Sequence, residues 1–170
     1  MMKRFVFLIV GMIFVVSSVW AGEKYACINL EKVFNEYQKT KDEEEKLTAE
    51  GKQKQAEIDT RLKEIDKLKE EMDLLSDKEK EKKKKELDKK MEELRQFDRQ
   101  ARADLMKKRD TIIREILDEI DQGIKEYAKS KGYTIIFNSR ALLYKQDKLD
   151  ITDEVINYLN NRYKKEKKKK

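Results

Sequence analysis

The sequence predicts a mainly α fold with a small β body, in which a long antiparallel coiled-coil hairpin arm projects from a β-containing oligomerisation base. Three observations lead there. Charged residues make up 45% of the 170-residue chain and proline is absent, a composition suited to long solvated helices and short of material for a large compact core. From about Glu31 to Lys131 the apolar residues recur at heptad spacing, with only Gly51 and Gly123 as breakers. Short stretches rich in β-branched and aromatic residues flank that zone, at Tyr25–Leu30, Tyr133–Phe137 and Ala141–Tyr144.

The first residues read as an export signal. Lys3 and Arg4 precede the apolar run Phe5–Val16, and Val19-Trp20-Ala21 offers a small-x-small cleavage site. The run is shorter than the roughly 20 residues a bilayer-spanning helix needs, so residues 1–21 are expected to be removed rather than to remain as an anchor. The exported chain then begins near Gly22 and works outside the cytoplasm. A lipoprotein signal is excluded, because Lys24-Tyr25-Ala26 before Cys27 lacks the required apolar residue.

The hairpin is expected to turn at Ser76. Ser76-Asp77-Lys78-Glu79 has the S-x-x-E pattern in which hydroxyl and carboxylate satisfy backbone N–H groups at a helix start. Before it Ile58, Leu62, Ile65 and Met72 follow a and d spacing; after it Leu87, Met91, Leu94, Ala101, Leu105 and Ile112 do the same. A turn at Ser76 requires facing residues whose numbers sum to about 152, and Ile65 with Leu87, Ile58 with Leu94, and Gly51 with Ala101 meet that condition. The arm therefore spans residues 39–111 with its tip near 76, on helices of roughly 65 and 80 Å.

The base divides into residues 22–38, which hold the first strand and the start of the first helix, and 112–163, which hold the end of the second helix, two strands and a final helix. Ile112, Ile113, Ile116, Leu117, Ile120, Ile124 and Tyr127 occupy more than one helix face and call for a second layer. Gly123, opposite Asn29 by the same sum, is expected to admit a strand, and Gly132 to end the second helix in the left-handed conformation. Asp150 or Thr152 caps a last helix that buries Val155, Ile156, Leu159 and Tyr163. Residues 164–170 form a basic tail. So small a sheet leaves open edges, and oligomerisation through Ile28, Leu30, Ile135, Phe137, Leu142 and Tyr144 is the economical remedy.

Catalytic chemistry finds no support. Histidine is absent and Cys27 is the only cysteine, which excludes N/S metal sites, imidazole acid–base work and an internal disulfide. Gly51-Lys52 lacks the remaining residues of a phosphate-binding loop. No catalytic residue, metal site or cofactor is expected, and the chain is not an enzyme.

Both ends of the exported chain resemble the Skp (OmpH-like) family of periplasmic chaperones. The opening Tyr25-Ala-Cys-Ile-Asn-Leu-Glu-Lys-Val-Phe34 is similar to the family's first strand running into its first helix. Lys131-Gly-Tyr-Thr-Ile-Ile-Phe-Asn138, Ala141-Leu-Leu-Tyr144 and Leu149-Asp-Ile-Thr-Asp-Glu-Val-Ile156 resemble its closing block. The resemblance implies a homotrimer whose β-rich body carries three helical arms around a cavity. It further implies an ATP-independent holdase that shields unfolded outer-membrane proteins from aggregation in transit.

A holdase needs scattered, weak apolar contacts, and several apolar residues fall off the hairpin seam. With Leu62 and Met91 at a, Leu68, Leu75 and Phe97 lie at g, Leu74 at f and Met106 at b, as a candidate client-facing stripe; a broadened seam is the plainer reading. The tip is basic: Lys78, Lys80, Lys82, Lys83, Lys84, Lys85, Lys89 and Lys90 stand against four acids. Such a tip would attract acidic clients or an anionic membrane surface and lose that pull in salt. Two alternatives share the same arms, a structural envelope spacer and a basic coiled-coil binding module. Nucleic acid is not an expected partner, since lysine dominates over arginine and the signal directs the chain elsewhere.

Overall fold

The computed structural model describes residues 23–169. The expected signal at 1–21 and its cleavage point lie outside the described residues. The element order is β1 (Tyr25–Ile28), α1 (Leu30–Glu36), α2 (Gln38–Asp73), α3 (Asp77–Lys131), β2 (Ile135–Asn138) and α4 (Thr152–Lys167), with short 3₁₀ turns at Ser139–Ala141 and Asp147–Leu149.

The arm is a hairpin of α2 and α3. Its turn is Leu74–Ser76, and the capping box forms: the Ser76 backbone N–H donates to Glu79 Oε2 at 3.3 Å, and the Ser76 hydroxyl donates to the same oxygen at 2.5 Å. Along the shaft the seam is thin. Ile65, Leu68 and Ala101 are buried, whereas Leu62, at an expected seam position, is 42% exposed. Cross-helix ion pairs flank that seam, with Glu71–Lys83 at 3.5 Å, Glu64–Lys90 at 3.0 Å, Lys39–Glu119 at 2.5 Å and Glu50 with Lys108. Each such surface pair contributes about 0.2–1 kcal/mol, so they fix register more than they stabilise.

The register departs from the expected sum. A side chain at Gly51 would meet Leu105 Cδ1 at 3.9 Å, one turn beyond Ala101. At the root the first helix is not continuous. Tyr37 is extended at φ −68°, ψ 124°, and separates α1 from α2. Its ring is buried edge-on against Tyr163, with centroids 5.9 Å apart. Asn160 spans the break: its Oδ1 accepts the Gln38 N–H at 2.7 Å and its Nδ2 donates to the Glu36 carbonyl at 3.3 Å. One side chain from α4 thus replaces hydrogen bonds that a continuous helix would have made.

The base is a two-stranded parallel sheet packed under α1, α3 and α4, not the expected three strands. Tyr25 pairs with Ile135 and Ile28 with Asn138. The outer edge of β1 is covered at Asp150, where the Ile151 N–H donates to the Cys27 carbonyl at 3.0 Å. Ala141–Tyr144 forms no strand. Asn138 Oδ1 accepts the Arg140 N–H at 3.3 Å and starts a 3₁₀ turn, which carries the chain away from an antiparallel return. Leu143 and Tyr144 are left almost fully exposed.

The core is built from Val33, Tyr37, Ile116, Ile120, Val155 and Leu159, with Ala26 and Ile28 from the sheet. Val155, Ile156, Leu159 and Tyr163 of α4 are buried as expected. Gly123 admits α4, not a strand: a Cβ there would lie 2.3 Å from Leu159 Cδ2. Gly132 takes the left-handed conformation, φ 71°, that closes α3. The helix of α4 runs through Lys167, so the first residues of the expected basic tail are helical.

Candidate functional site

Three surfaces offer themselves for binding: the shaft and tip of the arm, the outer face of the base, and the clefts at the arm's root.

On the arm, the candidate client-facing residues do not form one stripe. Leu74 is 89% exposed at the tip and Met106 is 68% exposed on the shaft. Leu75 is half-buried. Leu68 is a correction: it is buried in the hairpin seam and presents no surface, because the seam widens where g positions turn inward. Phe97 is half-buried beneath two cations, Arg61 at 4.4 Å and Lys54 at 5.3 Å from the ring centre. Its face is already covered by α2.

Among the tip lysines, Lys83 pairs with Glu71 and Glu86, Lys89 with Glu93, and Lys90 with Glu64. Lys78, Lys80, Lys82, Lys84 and Lys85 form no ion pair with any described residue. They lie at the start of α3, after the turn that carries the exposed Leu74, so the tip combines an apolar point with lysines in no ion pair with a described residue.

On the base, the expected association residues divide. Ile135 and Phe137 are exposed at 43% and 42%, and Tyr144 at 81%. Leu30 and Leu142 are half-buried. Ile28 is buried in the protomer's own core and also lines the groove beside this surface. Leu117 and Leu143, not among the expected association residues, are exposed beside this surface. A groove of about 450 Å³ runs between Leu30, Leu117, Ile124 and Phe137, next to the outer edge of β2, which pairs with no described strand.

Electrostatics at the root hold α4 against the arm. Asp42 of α2 accepts hydrogen bonds from Gln38 at 2.9 Å, Lys167 at 2.5 Å and the Tyr163 hydroxyl at 2.9 Å. The Gln38 and Lys167 donors hold its carboxyl down at about 2. On the other side of α4, Arg162 pairs with Glu126 at 2.9 Å. Burial works to raise the Asp150 carboxyl, but Lys145 and Thr152 outweigh it and hold it at about 2. Burial pushes the Cys27 thiol upward, away from the thiolate a nucleophile requires. Among the described residues no carboxylate or thiol cluster is placed to hold a metal ion.

The sequence of β1, the broken helix, the hairpin and the closing strand-to-helix block matches, over residues 24–159, the family described as outer membrane protein (OmpH-like). The chain belongs to the OmpH-like family. That match begins just before β1 and ends within α4, so it takes in the arm and both halves of the base. In backbone, the OmpH-like chain is similar to a protein of Caulobacter crescentus CB15 described as an OmpH-like outer membrane chaperone, with a TM-score of 0.76 and 14% identity. The likeness covers 84% of this chain and 86% of that one. At that identity the likeness is one of fold. No curated protein sequence matches the chain.

Proposed function

We infer that the chain is an ATP-independent periplasmic holdase, which binds unfolded outer-membrane proteins in a cavity between helical arms and prevents their aggregation. Family membership supports a chaperone role. The observation that carries the finer reading is the arm itself: a long, charged hairpin whose seam is barely filled and whose exposed apolar side chains, Leu74 and Met106, stand apart. Isolated apolar points on a solvated rod suit many weak contacts with an unfolded chain and do not suit one folded ligand.

A cavity needs more than one arm, and the proposed assembly is a homotrimer. Support comes from the open edge of β2, the exposed Ile135, Phe137 and Tyr144, and the groove beside them. An unpaired edge next to apolar surface favours association with further copies. The basic tip is proposed to meet acidic clients or an anionic membrane surface, with Leu74 at the point of contact.

Tryptophan fluorescence tests this directly, because the only tryptophan, Trp20, lies in the expected signal. A tryptophan-containing unfolded barrel protein titrated into residues 22–170 should show saturable, stoichiometric indole shifts without nucleotide. Absence of binding would favour the spacer reading.

A further inference from the structure

We propose that the first helix is a two-state element, broken at Tyr37 while α4 is docked and continuous from Leu30 to Asp73 when it is not. The base then closes only when the C-terminal helix takes its place, whatever the arms bind.

Nothing in the local sequence demands the break. Residues 30–50 contain neither glycine nor proline, and Tyr37 alone leaves the helical conformation, at φ −68° and ψ 124°. The break interrupts the helical bonds from the Gln38 N–H to Phe34 and from the Thr40 N–H to Glu36. It also strands the Thr40 hydroxyl. A threonine inside a helix can donate to the carbonyl four residues back, as Thr60 does to Ala56 at 2.8 Å and Thr111 to Lys107 at 3.0 Å. For Thr40 that carbonyl belongs to Glu36, across the break, and the hydroxyl is buried with no partner among the described residues. A buried hydroxyl left without a partner is destabilising, and straightening the helix would give this one its acceptor.

What holds the break comes from α4. Asn160 Oδ1 accepts the Gln38 N–H at 2.7 Å, and its Nδ2 donates to the Glu36 carbonyl at 3.3 Å. The Tyr37 ring packs edge-on against Tyr163. Asp42, in the second turn of α2, accepts from the Tyr163 hydroxyl at 2.9 Å and from Lys167 at 2.5 Å. The residues before the break lean on the same helix. Val33 is fully buried in a core to which α4 contributes Val155, Ile156, Leu159 and Tyr163. The Asn29 N–H donates to the Thr152 hydroxyl at 2.9 Å.

Without α4, therefore, α1 loses its packing and the break loses its ties. The seven residues of α1 are too few for an independent helix. Appended to α2, the same residues only propagate a helix that α3 already supports, and the interrupted backbone bonds return. Straightening turns ψ at Tyr37 by roughly 165° and carries α1 and β1 away from the sheet. A broken helix and a closed base are thus one event.

Backbone ¹³Cα shifts of the labelled chain, residues 22–170, test this, because helical and extended residues shift in opposite directions. Wild type should show helical shifts on both sides of an extended Tyr37. Val155→Asp with Leu159→Asp puts two carboxylates at fully buried positions, where neither can remain, and so undocks α4. In that chain the Tyr37 shift should change sign and Leu30–Asp73 should read as one helix. Gln38→Pro blocks straightening without opposing the break, since proline suits the first position of α2 and keeps the preceding residue extended. Alone it should leave shifts beyond its neighbours unchanged; added to the double aspartate chain it should abolish the helical shifts of Leu30–Glu36.

An extended Tyr37 or an unstructured Leu30–Glu36 in the double aspartate chain would overturn the proposal. Loss of the arm's own helical shifts there would do so too, because the arm has to template the straight helix. So would a base disrupted by Gln38→Pro alone.

Discussion

Replacing Gly51 and Gly123 by alanine, one at a time, should move the stability of the chain in opposite directions. Both glycines are helical, and alanine in a helix interior is favoured over glycine by about 0.8–1 kcal/mol. At Gly51 nothing opposes that gain: the new Cβ would meet Leu105 Cδ1 at 3.9 Å, an ordinary contact. Gly51→Ala is expected to stabilise by about 1 kcal/mol. At Gly123 the new Cβ would fall 2.3 Å from Leu159 Cδ2, and Leu159 is fully buried, so its side chain has nowhere to swing. Overpacking of this kind costs about 1–3 kcal/mol, which after the propensity gain leaves a net loss of up to about 2 kcal/mol. Urea unfolding followed by far-ultraviolet circular dichroism, with slopes compared, measures both. Leu159→Ala supplies an internal control, because it empties the space the Gly123 methyl needs. The two changes together should cost less than the sum of each alone. If Gly123→Ala proves as stabilising as Gly51→Ala, or if the double change is strictly additive, the packing of α4 on α3 described above is wrong.

The polar ties at the arm's root make further predictions. Asn160→Leu removes both partners at the helix break, and because water can reach that site the stability cost should be about 1 kcal/mol or less; amide exchange at Gln38 should nonetheless quicken markedly, and unchanged protection there would refute the splint. The Asp42 carboxyl is lowered from 3.8 to about 2 by Gln38 and Lys167. A group depressed on folding contributes stability above its unfolded value, so this contribution should be full above about pH 5 and lost as the pH falls from about 4 through 2. The stability difference between wild type and Asp42→Asn should shrink over that window; a constant difference would remove Asp42 from the account. On the arm, Leu74→Ser with Met106→Ser should weaken capture of an unfolded client and leave helicity intact, whereas Phe97→Ser should loosen the arm through loss of its Arg61 and Lys54 contacts. Equal capture by the Leu74/Met106 pair and wild type would exclude those two residues.

The features readable in the sequence are those set by local periodicity and by caps. Heptad spacing on both sides of Ser76-x-x-Glu79 places the hairpin and its turn, Gly132 marks the end of α3, and the spacing of Val155, Ile156, Leu159 and Tyr163 places the buried face of α4. What escaped depends on residues distant in the chain. No glycine or proline announces the break at Tyr37, since it is held by Asn160 and Tyr163 more than a hundred residues away. Ala141–Tyr144 has strand composition, but the Asn138 side chain starts a 3₁₀ turn that carries the segment away from the open edge of β2. Gly123 was legible as a close approach while its partner, Leu159, was not. The same limit applies to the candidate surfaces. A heptad position cannot separate Leu68, which turns into the seam, from Leu74, which stands free at the tip.

The claim on which the rest depends is that the arms, and not the base, do the protecting. Light scattering of an unfolded outer-membrane barrel protein diluted from urea measures this when the full chain is compared with a variant shortened by the same number of heptads in α2 and α3, its turn and base retained. The account predicts stoichiometric suppression of scattering by the full chain without nucleotide, and its loss in the shortened chain at an unchanged oligomeric state. Equal protection by the shortened chain would contradict it.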